Sequence, residues 1–170
     1  MSSQWKSAER KIADDVSNWW CGKKGVLRRS PCSGGWPKRG AEGDIIQVDK
    51  TVPELPFVID VKYRQQWDLD DFVKNPRTCT MLKWYRESYD KLTVKLGKPL
   101  WFIYMRKRGK FFLLIEHKLE MDLKAQVGAL SIPSFRFQAK GFDLRLFLLK
   151  PFLQAVDPKA LYGIKFMVRQ

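Results

Sequence analysis

Apolar residues at Trp5, Ala8, Ile12, Val16 and Trp19 recur at spacings of 3, 4, 4 and 3. That period predicts an amphipathic helix over about residues 3–19, ended by Gly22 and Gly25. Gly25 to Arg29 reads as a short strand, and 30–43, punctuated by glycine and proline, as a loop. Asp44 to Val48 and Phe57 to Tyr63 read as strands, separated by a turn holding Pro53 and Pro56. Period-two alternation puts Phe57, Ile59 and Val61 on one face of the second of these, and Val58, Asp60 and Lys62 on the other. After an irregular acidic stretch, Thr78 to Leu96 predicts a helix with Met81, Trp84, Tyr85, Ser88 and Leu92 along one side, capped by Gly97. Leu100 to Arg106 and Lys110 to Glu116 predict a hairpin around Lys107-Arg108-Gly109. Beyond it the pattern is mixed, with strands at 135–138 and 142–146 and a short helix at 147–156 despite Pro151. The order predicts an α/β fold with a sheet of mixed direction.

A length of 170 residues with 45% hydrophobic content is that of one folded domain, 1–170, with a real core. The longest apolar runs, such as Phe111 to Ile115, fall far short of the roughly 20 residues of a membrane span. Met1 to Lys11 lacks the apolar centre of a signal peptide. Three cysteines are too few for a disulfide framework, so a cytoplasmic setting is expected. The net charge is +14, distributed as +6 over 1–40, zero over 41–100 and +8 over 101–170. Such an excess implies a polyanionic partner, with nucleic acid the first candidate, while ribosomal-type binding or an anionic membrane surface would give the same total.

Candidate chemistry lies in the neutral block. Asp44 starts one strand and Asp60 lies near the end of the next, so pairing the strands brings two carboxylates together. Mg²⁺, held by one or two carboxylates plus waters and a substrate phosphate, relieves their repulsion. It also acidifies a bound water and stabilises charge developing on phosphorus. Lys62, two residues on and on the same face, can reach the attacking water or the phosphate. The competing structural readings are an Asp60–Lys62 salt bridge, a strand-capping Asp44 and a solvated Glu9 beside Asp14 and Asp15.

Gly43-Asp44, fifteen residues, then Asp60-Val61-Lys62 resembles the PD-(D/E)XK nuclease superfamily, with glycine in place of the motif's proline. The resemblance covers about residues 5–116. It implies a restriction-endonuclease-like αβββαβ core with a central mixed sheet flanked by helices, 117–170 then forming a C-terminal extension. Within it, Arg28-Arg29-Ser30, the loop with Ser33-Gly34-Gly35 and Gly43-Asp44 are similar to archaeal-type Holliday junction resolvases. Carried over by position, the implied catalytic set is Glu9, Arg29, Ser33, Asp44, Asp60 and Lys62. Asp44, Asp60, the Val61 carbonyl and Glu9 would hold Mg²⁺, for which Mn²⁺ can substitute. Arg29 and Ser33 would hold the phosphate. The implied activity is metal-dependent DNA cleavage, with a four-way junction the preferred substrate and a homodimer the expected state. The same core also serves restriction, nicking and recombination nucleases, and a non-catalytic DNA-binding module remains the alternative of another class. A nuclease core of this size fits a phage or mobile element, and then the host's cytoplasm.

The expected DNA contacts are Arg28, Arg29, Lys38, Arg39, Arg106, Lys107, Arg108 and Lys110. Trp36 is the tryptophan placed to stack on a base, while Trp19, Trp20, Trp67 and Trp84 are assigned to core or interface. Trp84, Tyr85 and the hydrophobic C-terminal third are candidate dimer surface. His117, the single histidine, is expected to end a strand at the surface, which leaves no zinc site or Ser-His or Cys-His pair.

Overall fold

The computed structural model describes residues 3–31, 43–64, 79–106, 109–128, 131–139, 141–166 and 168. Helix α1 spans Ser3–Cys21 and buries Ala8, Ile12, Val16 and Trp20. The buried stripe therefore ends on Trp20, with Trp19 half-buried beside it. Both indoles are anchored through Nε1, Trp19 to the Val156 carbonyl at 2.8 Å and Trp20 to that of Pro53 at 2.9 Å.

Seven strands follow: β1 (Leu27–Arg29), β2 (Ile45–Gln47), β3 (Val58–Arg64), β4 (Leu100–Arg106), β5 (Phe111–Glu116), β6 (Ser134–Ala139) and β7 (Phe142–Leu148). They form one sheet in the order β1-β2-β3-β4-β5-β7-β6. The β3–β4 pair is parallel, Asp60 in register with Phe102, and every other pair is antiparallel. A parallel pair needs a crossover, and helix α2 lies in that connection. It runs Thr80–Ser88, passes through a π-helical turn at Tyr89–Thr93 and closes with Val94–Leu96. Gly97 ends it at φ 66°, its N–H returning to Thr93 O at 2.9 Å, as the glycine's position predicts.

Both faces of the sheet are covered, so β4 and β5 read as unbroken apolar runs. Phe57, Ile59, Val61, Trp101, Ile103, Leu113 and Ile115 join α1 in one core. Val58, Phe102, Tyr104, Leu114 and Leu146 join Met81, Leu82 and Tyr85 of α2 in the other. The alternation expected for β3 is thus the one observed.

Residues after 116 continue the same sheet. His117 does not end a strand at the surface; it opens helix α3 (His117–Val127), and its Nδ1 lies 2.7 Å from Glu120 Oε2. Helix α4 (Leu149–Ala155) holds Pro151 in its first turn, where a missing N–H costs nothing. Tyr85, Phe147, Leu149 and Phe152 are core rather than the interface material expected of them. No helix is long and apolar enough to cross a membrane among the described residues.

Candidate active site

The site starts from a backbone clamp on Asp44. Its N–H donates to Ile59 O at 2.9 Å, and its carbonyl accepts Ser30 N–H at 2.7 Å. Its Oδ2 accepts Val61 N–H at 2.9 Å. Gly43 holds φ 90°, and a Cβ there would sit 2.4 Å from Ile59 O. Proline, fixed near −65°, could not adopt that conformation, which gives a physical reason for glycine in the motif.

Asp60 lies on the opposite face of β3 from Ile59 and Val61, as the alternation requires. Lys62 Nζ and Ser88 Oγ both donate to its Oδ2 at 2.6 Å. The two aspartates are close enough for each to act on the other's carboxyl. Burial, followed by the neighbouring charge of Asp60, pushes Asp44 up to about 8. Burial also acts to raise Asp60, but Lys62 and the Ser88 hydroxyl outweigh it and hold that carboxyl below its usual value. The pair is therefore disposed to share one proton near neutrality, its remaining negative charge facing Lys62.

These groups fit a hard dication. Two nearly dry carboxylates this close repel once both ionise, and a divalent ion removes that cost. N–H and C=O of one strand residue point to the same side, so the Val61 carbonyl faces the side of Asp44. The β2–β3 ladder pairs Ile45 with Ile59, short of Val61. Two carboxylates and one carbonyl leave room for the waters that Mg²⁺ retains.

Glu9 is fully buried but stands elsewhere. It accepts hydrogen bonds from Trp5 Nε1 and Arg29 Nε, which makes it a partner of Arg29. Among the described residues no three His, Cys, Asp or Glu side chains are grouped to hold an ion, so Glu9 is not gathered with the two aspartates. Arg29 is half-buried at the end of β1, Arg28 is exposed, and Lys110 is exposed at the start of β5. Arg106 ends β4. Ser33, Trp36, Lys38, Arg39, Trp67, Lys107 and Arg108 lie outside the described residues.

Ser88 is the site residue that sequence reasoning placed on the buried side of α2 without assigning it a role. A hydroxyl on an otherwise apolar helix face, opposite a strand face carrying Asp60, was the available signal.

No curated protein and no solved structure matches the chain. One family model does, over residues 3–163, and it is described as "Phage putative PDDEXK endonuclease". The match takes in α1, the whole sheet and both aspartates, and the chain belongs to this phage family of PD-(D/E)XK endonucleases.

Proposed function

We propose that the chain is an Mg²⁺-dependent endodeoxyribonuclease that hydrolyses DNA phosphodiesters and acts first on branched DNA, a four-way junction above all. The observation that carries the hydrolytic reading is the convergence of Asp44, Asp60 and Lys62 where the start of β2 meets β3. Asp44, Asp60 and the Val61 carbonyl hold the ion; Mn²⁺ can replace it. When bound, the ion supplies an acidified water and offsets charge developing on the phosphate.

The chain's own groups do the rest. Lys62 and Ser88 both grip Asp60 Oδ2, which fixes the carboxylate's rotation. Lys62, on the surface side of that grip, orients the attacking water or contacts a phosphate oxygen. Glu9 holds Arg29 beside the start of β2, where its guanidinium meets the phosphate. Ser33 is assigned to the same phosphate by the resemblance alone. The junction preference rests on the likeness of the Arg28-to-Gly35 segment to resolvases. Two symmetric nicks on one junction call for a homodimer.

The deciding experiment maps products on a labelled four-way junction, a linear duplex and a single strand, with Mg²⁺. Paired symmetric nicks in the junction are expected, and Asp60→Asn should abolish them while DNA binding persists. Normal cutting by that variant would overturn the site, and cutting of linear duplex alone would overturn the junction preference.

A further inference from the structure

A second site lies across the sheet from the aspartate pair. α1, the start of β5 and the start of α4 enclose a cavity of about 680 Å³. Lys11, Lys110 and Lys150 stand on its lining with a single acid, Asp15. All three lysines are exposed, and among the described residues none is ion-paired. Lys11 Nζ sits 5.8 Å from the centre of the Phe111 ring. Phe111 and Trp19, both half-buried, give the cavity an aromatic floor.

We propose that this cavity is a binding groove for unpaired DNA, taking a single-stranded tail or flap that adjoins a duplex. Three unneutralised lysines on one concave surface suit successive phosphates. The aromatic floor suits a base face, which a duplex hides inside its stack and only an unpaired strand offers. A free nucleotide would need a closed pocket with specific polar contacts to its base, whereas this floor is apolar and sequence-tolerant.

Along the strands the groove lies about three register positions beyond Asp60, on the opposite face of the sheet. β3 and β4 run parallel with Arg64 opposite Arg106. Met105 pairs with Phe111, and Phe112 with Leu148, so the groove's rim is level with Lys62 and Tyr63 of β3. Two interstrand spacings, roughly 10 Å, separate β3 from β5. A strand that reaches both sites would run from Asp60 past Lys62 and round the edge of the sheet onto the lysines. Only the identity of the polyanion rests on the nuclease reading.

The test compares three proteins without metal, by fluorescence anisotropy against a labelled oligothymidylate and a blunt duplex. They are the wild type, Lys11→Gln/Lys150→Gln, and a charge-matched control, Lys91→Gln/Lys118→Gln, at exposed positions outside the groove. The groove variant should bind the oligothymidylate about tenfold more weakly than the control. Its salt slope should fall by roughly 0.7 for each lysine removed, as for phosphate contacts on a single strand. With Mg²⁺, any preference of the wild type for tailed over blunt duplex should disappear in the groove variant. Equal single-strand binding by groove variant and control would overturn the groove. If the groove variant loses binding but no DNA is cut by the wild type, the groove stands and the nuclease reading fails. If the wild type cuts and the two variants bind alike, the reverse holds.

Discussion

Asp44 and Asp60 are chemically the same residue in one site, yet their surroundings push their carboxyls in opposite directions. Asp60 faces a lysine and a hydroxyl; Asp44 faces one backbone N–H and its neighbour's charge. A carboxyl raised to about 8 binds its proton in the folded chain and has lost it in the unfolded chain over most of the range above pH 4. The unfolded state then binds fewer protons, so its contribution to stability is full at low pH and is lost as pH rises toward 8. With metal chelated, the melting temperature should fall from pH 5 to pH 8 more steeply in the wild type than in Asp44→Asn; equal slopes would contradict the shared proton. Ser88→Ala removes a hydrogen bond to an ionised group, an interaction of about 1.5–3 kcal/mol. If Ser88 positions Asp60, cleavage should slow about tenfold and half-saturation should need more Mg²⁺, read from rates against Mg²⁺ concentration; a change in rate without one in Mg²⁺ dependence would refute that role. Asp60 was legible in the sequence because a carboxylate interrupts an apolar strand. Ser88 was not, because a serine on a buried helix face reads as a small packing residue until the partner strand is known.

At the scale of elements, the strongest signals came where period and burial agree. α1 buries one stripe at helical spacing and β3 is a β-branched and aromatic run buried on both faces, so both were placed from sequence, and Gly97 marked a helix end that backbone geometry requires. The π-turn at Tyr89–Thr93 left no mark, since one extra residue in a turn changes no residue type. The C-terminal third was harder because β7 pairs with β5 across an intervening helix, a non-local contact with no local pattern. α3 brings in an ion cluster that the sequence did not announce. Glu120, nearly buried, lies 2.7 Å from His117, 3.0 Å from Lys124 and 2.8 Å from Arg145 of β7. Burial acts to raise its carboxyl, but Lys124, His117 and Arg145 outweigh it and hold it below its usual value. That stabilisation is present above the unfolded carboxylate's pKa and is lost as pH falls through the lower folded value. Glu120→Gln should cost about 1–3 kcal/mol by denaturant unfolding at pH 7, with the gap to wild type narrowing in acid. The link between β1 and β2 has its own weak point at Gly43. Gly43→Ala sets a Cβ against Ile59 O and forces a disfavoured φ. It should destabilise by at least about 2 kcal/mol and displace Asp44, so that cleavage falls even at temperatures where the variant is folded. A fully active Gly43→Ala would mean that the clamp on Asp44 is unnecessary.

Over the whole molecule, charge and chemistry are kept apart. The excess of +14 resides in 1–40 and 101–170, while the block 41–100, with Asp44, Asp60 and Lys62, sums to zero. A neutral centre between basic flanks lets the flanks carry affinity through phosphates while the centre keeps carboxylates that would repel them. Two consequences separate this arrangement from a uniformly basic surface. Binding led by phosphate contacts must weaken steeply with salt, by about a thousandfold or more between ~50 and ~200 mM for six or more contacts. Removing negative charge from the centre must strengthen metal-free binding rather than leave it unchanged. Asp60→Asn should therefore bind duplex DNA at least as tightly as the wild type in chelator, with the same salt slope, because the flanks are untouched. Titrations of both proteins at several salt concentrations, followed by anisotropy, read the two effects independently. A shallow slope would remove the flanks from the interface, and weaker binding by Asp60→Asn would mean that the aspartate supports the DNA surface rather than opposing it.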